Sequence, residues 1–216
     1  MVNVLGNKNS LIDQYISELR DIDVQQDSLR FRKNLERVGA IFGYEISKDL
    51  EYESKEVNTS LGSTNVPMLK EHPVLIAIMR AGLPVYQGLL DVFDHSESGF
   101  VSSYRKYGKD NEFTIQVEYV SCPNIEGRTI LLIDAMMATG ESMVKALKEL
   151  LTKGKPSKIH LVSVLVSEEA VENIKKRFSR YEVNIWTAAI DDEITARALL
   201  VPGLGDAGDL AFGSKE

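Results

Sequence analysis

One carboxylate, Asp134, closes the apolar run Thr129-Ile-Leu-Leu-Ile133 and is followed by Ala135-Met-Met-Ala-Thr-Gly-Glu-Ser142. The unalternated run suits a strand buried on both faces, as in a parallel sheet. The loop after it leads into an amphipathic helix opening at Gly140 to Ser142. Unpaired backbone N–H groups and the helix dipole favour an anion there, typically phosphate. An acid beside a phosphate cradle suits a sugar phosphate: amides hold the phosphate and Asp134 accepts hydrogen bonds from hydroxyls. The same loop, taken alone, also reads as an ordinary strand-to-helix connection in which Thr139 or Ser142 is only a cap. It is not a P-loop, because no Gly-x-x-x-x-Gly-Lys-Ser/Thr occurs in the chain. Gly203-Leu-Gly205-Asp-Ala-Gly208 fits the dinucleotide pattern, but too few residues follow it for a βαβ unit.

The same strand–loop–helix order recurs upstream. Pro73 to Met79 is a second apolar run, Arg80-Ala-Gly82 is its loop, and Pro84 suits the first position of the helix that follows. Phe100 to Tyr104 reads as a strand leading to Arg105 and Lys106, and Phe113 to Val120 alternates as its hairpin partner. Ile159 to Val166 is a further strand, Ser167 caps a helix, and Val183 to Ile190 is a last strand. Ahead of this core, Ser10 to Asp13 is a capping box opening one helix, and Ser28 can cap a second. Glu51 to Ser60 reads as an exposed strand and Leu61 to Asn65 as a turn. The pattern predicts an α/β fold: a parallel sheet flanked by helices, in one domain over 1–216, with N-terminal helices and segment 190–216 as additions. Ligands of such sheets bind beyond the carboxyl ends of the strands, where Arg80 and Asp134 fall.

A net charge of -7 argues against broad nucleic-acid or anionic-membrane binding, so an anionic substrate must meet a local basic cluster. A single cysteine, Cys122, excludes an internal disulfide framework and reads as a packing or loop residue. There is neither an apolar h-region in 1–10 nor a membrane-length apolar stretch, which makes a cytoplasmic protein the expectation. His72, His95 and His160 lack metal-ligand spacing and read as surface or turn residues. Trp186 reads as core, Arg30, Arg32 and Lys33 as a solvated face, Asp191-Asp192-Glu193 as a solvated turn, and Lys153 to Lys158 as a helix end.

Taken together, the motifs carry a resemblance. Ile133 to Ser142 resembles the phosphoribosyl diphosphate (PRPP) motif of type I phosphoribosyltransferases, in the variant Asp-Pro-Met-Leu-Ala-Thr-Gly-Gly-Ser of the uracil phosphoribosyltransferase family. Val201 to Asp209 with Phe212-Gly213 is similar to that family's C-terminal uracil-binding signature, and Arg80-Ala-Gly82 and Tyr104-Arg105 match its other PRPP segments. The resemblance implies a type I phosphoribosyltransferase-like sheet with a β-hairpin arm and a C-terminal hood over the base. It implies the reaction of PRPP with uracil to give UMP and pyrophosphate, with no side-chain nucleophile. PRPP would lie against Arg80, Arg105, Asp134, Ala135, Met136, Met137, Ala138, Thr139, Gly140, Glu141, Ser142 and Asp206. Uracil would lie against Leu200, Gly205, Asp206 and Ala207, and Asp134, Arg105 and Asp206 would carry catalysis. Magnesium is expected to arrive with PRPP rather than on a dedicated protein site. A homodimer or larger homo-oligomer is expected, and activation by GTP, known in some members, is left open. The alternatives are a non-catalytic PRPP- or nucleotide-binding regulator on this fold, or a phosphoribosyltransferase for another base.

The sequence departs from the family pattern at Ala135 (usually proline), Glu141 (glycine), Leu210 (a basic residue) and the 106–112 loop. Glu141 sets a carboxylate beside a phosphate site, so its side chain must point away or weaken PRPP binding.

Overall fold

The two apolar runs fail to alternate because each is covered on both sides. The computed structural model describes residues 1–6, 8–107 and 113–214, apart from the side chains of 104–107 and 113–115. The chain runs β1 (Val2–Val4), α1 (Leu11–Arg20), α2 (Ser28–Ser47), β2 (Tyr52–Thr59), β3 (Gly62–Leu69), β4 (Val74–Met79), α3 (Leu83–Val92), β5 (Ser98–Tyr107) and β6 (Phe113–Ser121). It continues through β7 (Thr129–Met137), α4 (Glu141–Leu151), β8 (Lys158–Ser167), α5 (Glu168–Arg177), β9 (Val183–Thr187), β10 (Ala189–Asp191), β11 (Glu193–Ile194), β12 (Leu200–Val201) and α6 (Ala207–Phe212).

Among the described residues the main sheet has the order β1-β9-β8-β7-β4-β5-β6, with β10 extending the pairing beside β8. Neighbours are parallel except β5 and β6. Leu75, Ala77, Leu131 and Ile133 face one core, shared with α1, α2, α3 and α6. Ile76, Ile78, Ile130 and Leu132 face the other, shared with α4 and α5. From β4 the chain crosses through α3 to β5 on one side, and from β7 through α4 to β8 on the other. The β4–β7 junction is therefore the topological switch point, where open α/β sheets bind ligands.

Several local expectations need correction. Asp27, not Ser28, caps α2, accepting from Leu29 N and Arg30 N at 3.0 Å each. The turn at Leu61 is tight, and Gly62–Leu69 is a strand that pairs with all of β2. β7 runs on to Met137 instead of ending at Ile133. The last apolar run breaks at Ala188, whose N–H reaches Val164 O at 3.0 Å, and β10 then pairs with β8. α4 ends at Leu151, and Lys158 opens β8 with its ammonium 2.9 Å from Asp49. Arg32 is not merely solvated: it donates to Ala211 O at 2.6 Å and so ties α2 to α6. Cys122 is half-buried, and burial pushes its thiol pKa up, away from nucleophilic use.

His160 is the largest surprise. It is fully buried on β8 and accepts from Trp186 Nε1 at 2.9 Å through Nδ1. Burial holds its pKa down at about 4 against an ordinary 6.5. The unfolded chain takes up this proton near 6.5, whereas the folded chain refuses it until about 4. Stability is thus complete above the upper value and is lost as pH falls toward and through the lower one. His160→Asn keeps an acceptor for Trp186 but cannot titrate. Urea unfolding across this window should show a shallower acid loss for the variant, by up to about 1.4 kcal/mol per pH unit. Equal slopes would assign the acid sensitivity to other groups.

Candidate active site

Asp134 sits where the sheet opens. β4 pairs with β7 only from Val74↔Ile130 to Ala77↔Ile133. On its other side β7 stays paired with β8 through Asp134↔Ser163 to Met137↔Val166. Asp134 is therefore the first β7 residue past the β4 ladder, held in a strand yet at the lip of a crevice. It is 9% exposed, and its Oδ1 accepts from Ala135 N at 2.7 Å. A proline at 135 could not donate that bond. Gly82 lets the β4 loop lie directly against the acid: a Cβ there would meet Ile133 O at 2.6 Å, Ile78 O at 2.7 Å and Asp134 Cα at 3.2 Å.

The loop after β7 delivers α4 end-on to this crevice. Gly140 has φ 74°, a left-handed conformation that favours glycine. It offers no capping oxygen, whereas Asp27, Ser167 and Asp206 cap α2, α5 and α6 with their side chains. Apart from a long contact in which Thr139 Oγ1 accepts from Glu141 N at 3.4 Å, the first turn of α4 thus presents backbone donors that its N-cap residue leaves open, the arrangement an anion satisfies. The loop's carbonyls turn the other way. Ala138 O accepts from the Ser167 hydroxyl and Thr139 O from Asn173 Nδ2 at 3.0 Å. Ala135 and Met137 are packed in the two cores, so only their backbone can face a ligand, while Met136, Ala138, Thr139 and Ser142 are half-buried. The Glu141 carboxylate does point away, 2.7 Å from Arg177 Nη2 on α5.

The C-terminal segment closes the third side. Arg80 Nη2 donates to Asp209 Oδ1 and Gly213 O at 3.0 Å each, joining the β4 loop to α6. Asp206 is exposed, and its Oδ1 accepts from Gly208 N at 2.9 Å and Asp209 N at 3.1 Å. Leu200 and Ala207 are buried at 4% and 1%, while Gly205, at φ 87°, leaves its backbone open. Leu210 packs under this turn, its Cδ1 3.6 Å from where a Gly205 Cβ would lie. The Arg105 side chain and residues 108–112 lie outside the described residues; the backbone of Arg105 pairs with Ile115 in the β5–β6 hairpin.

Two residues to which the sequence gives no functional role, Arg20 and Asp191, hold this segment in place. Asp191, 4% exposed rather than part of a solvated turn, receives both arms of Arg20, at 2.6 and 2.9 Å. The same carboxylate accepts from Gly203 N at 2.9 Å, and Arg20 donates to Gly203 O at 2.8 Å. Both polar groups of one peptide turn are thereby fixed by an ion pair that bridges α1 and β10. Arg20, Asp191 and Pro202 also form part of the wall of a cleft of about 760 Å³ along α1. Among the described residues no cluster of three or more His, Cys, Asp or Glu is placed to hold a metal ion, and no helix is long and apolar enough to cross a membrane.

The model of the uracil phosphoribosyltransferase family matches residues 6–214. A uracil phosphoribosyltransferase of Porphyromonas gingivalis is 45% identical over 211 residues, covering 98% of this chain and 97% of that one. One from Pyrococcus furiosus is 39% identical over 205 residues, covering 94% and 86%. The solved structure of AQ2163 protein from Aquifex aeolicus matches with a TM-score of 0.87 at 29% identity, covering 100% of this chain and 99% of that one.

Asp191→Ala removes the partner of Arg20 and an acceptor of Gly203 N–H together. It should destabilise the chain by about 3 kcal/mol. Hydrogen exchange measured by mass spectrometry should quicken first at 200–213. Unchanged protection of that segment would show that the clamp does not hold it.

Proposed function

The chain belongs to the uracil phosphoribosyltransferase family, and we propose that it transfers the phosphoribosyl group of PRPP to uracil through the residues gathered at the β4–β7 junction. The observation that carries this assignment of roles is the position of Asp134. One carboxylate lies at the end of the β4 ladder, between an uncapped helix N-terminus and an arginine linked to the C-terminal segment. A sugar phosphate needs those three neighbours.

The 5′-phosphate rests on the N–H groups of 138–142 with the Thr139 and Ser142 hydroxyls. Each hydrogen bond to a charged oxygen contributes roughly 1.5–3 kcal/mol, so a few anchor the substrate firmly. Asp134 accepts from the ribose hydroxyls, and its charge favours the positive charge that develops on the ring as the C1′–oxygen bond breaks. Arg80 exchanges Asp209 for diphosphate oxygens and, with Arg105, stabilises the leaving group. Uracil meets backbone groups of Leu200, Gly205 and Ala207, which set its nitrogen in line with C1′. A base with the wrong donor pattern leaves buried polar groups unpaired, and that discriminates strongly. Magnesium, when bound with PRPP, offsets diphosphate charge. Asp134 and the exposed Asp206 present the hard carboxylate oxygens that suit it.

We take 1–216 as one domain, since the family match spans nearly all of it. A homodimer or larger homo-oligomer is the proposed assembly. The β2–β3 hairpin, with Tyr52, Val57, Leu61 and Met68 open to solvent, is the surface it would cover. A two-stranded hairpin is marginal alone in water, which favours such cover.

Incubation with PRPP, magnesium and each labelled nucleobase should give product from uracil alone. Product from another base would relocate the specificity, and no product despite PRPP binding would favour a regulator. Asp134→Asn should lower kcat by about a hundredfold while leaving the melting temperature nearly unchanged; unaltered kinetics would remove the ribose role.

A further inference from the structure

The phosphate loop carries a carboxylate that its chemistry does not call for. Glu141 opens α4, at the helix end whose donors would hold the 5′-phosphate, and a fixed negative charge there competes for the same field. The structure meets this with a closed set of contacts on α5. Arg177 Nη2 donates to Glu141 Oε1 at 2.7 Å, and Arg177 Nε donates to Asn173 Oδ1 at 2.7 Å. Asn173 Nδ2 donates to Thr139 O at 3.0 Å and to Glu141 Oε1 at 3.3 Å. The Glu141 and Arg177 side chains are 33% and 39% exposed, and ion pairs so open add little stability. Stability therefore does not account for the arrangement.

We propose that Glu141, Asn173 and Arg177 form a latch that positions the phosphate loop and cancels the charge of Glu141, so that PRPP binding depends on Arg177. The proposal rests on reading 138–142 as the phosphate cradle. In a planar trans peptide the C=O and N–H point in opposite directions. Asn173 draws the Thr139 carbonyl toward α5, which turns the Gly140 N–H away from α5. The Ser167 hydroxyl does the same for the Ala138 carbonyl and the Thr139 N–H. Arg177 fixes which face of the Asn173 amide meets Thr139, because its own Nε occupies the amide oxygen. It also draws the Glu141 carboxylate outward and neutralises it. These are positioning residues, acting on the substrate through the loop.

Steady-state kinetics of Arg177→Met test this. The KM for PRPP should rise about fivefold, equivalent to roughly 1 kcal/mol, while kcat and the KM for uracil stay within about twofold. The rise should shrink at high salt, as a charge effect does. Arg177→Lys, which retains the charge but loses the fork to Asn173, should fall between the parent and Arg177→Met. Glu141→Gln introduced into Arg177→Met should recover most of the lost affinity. Ser142→Ala serves as the check on the cradle. If it raises the KM for PRPP while Arg177→Met does not, the latch is overturned and the cradle stands. If Ser142→Ala also leaves it unchanged, the cradle reading fails and the latch with it. An equal rise with and without the Glu141 charge would likewise overturn the charge cancellation.

Discussion

The whole site depends on a difference in length between two ladders on one strand. β7 loses β4 after Ile133 but keeps β8 to Met137. Hydrogen bonds on one side keep Asp134 in extended backbone, and their absence toward β4 leaves the sheet open beside the acid. A carboxylate on a free loop would lose rotational freedom on meeting a substrate, whereas one held in a strand has lost it on folding. Gly82 belongs to the same constraint. With no side chain it lets the end of β4 stay against β7, so the crevice opens at the acid and Arg80 remains beside it.

The C-terminal segment is positioned by a different kind of interaction. No long ladder holds it, because β11 and β12 pair over only two residues each. Instead Arg20 and Asp191 grip both polar groups of Gly203, Arg32 takes Ala211 O, and Arg80 takes Asp209 and Gly213 O. Arginine suits this work, since its forked donors meet a carboxylate and a carbonyl at once. Of the three, Arg80 is the one whose contacts would change in turnover. Arg20 and Arg32 hold from α1 and α2, so under the proposed roles the segment keeps its place when Arg80 turns to a diphosphate.

The sheet and the strand–loop–helix connection proposed as the phosphate cradle are legible in the sequence because both rest on local rules. Unalternated apolar runs mark β4, β7 and β8, and Asp134 and Gly140 mark where the run ends and the helix begins. What the sequence hid is long-range. Asp191 looks like any acid in an acidic turn until Arg20, far away in the chain, closes on it. His160 lies in an apolar run that itself points to burial, but its pairing with Trp186, on the next strand, has no local sign. Ser28 and Asp27 are equally good caps by residue type, and only the backbone geometry selects Asp27. β3 is hidden because Ser63, Thr64 and Asn65 are turn formers, and only pairing with β2 makes them strand.

The departures from the family pattern are mutually intelligible once their surroundings are known. Ala135 gives up the stiffness of a proline but supplies an N–H to the Asp134 carboxylate, so the acid remains oriented by a bond rather than by a ring. Leu210 gives up a positive charge near the base segment and packs beneath the Gly205 turn. Glu141 adds a negative charge at the phosphate loop, and Arg177 answers it from α5. Relative to the usual pattern, residues 141 and 210 both move the local charge against an anionic substrate. On the proposed roles, the remaining attraction comes from backbone donors, Arg80 and Arg105. In a chain of net charge -7 this makes the orientation of the loop peptides carry weight that bulk charge does not.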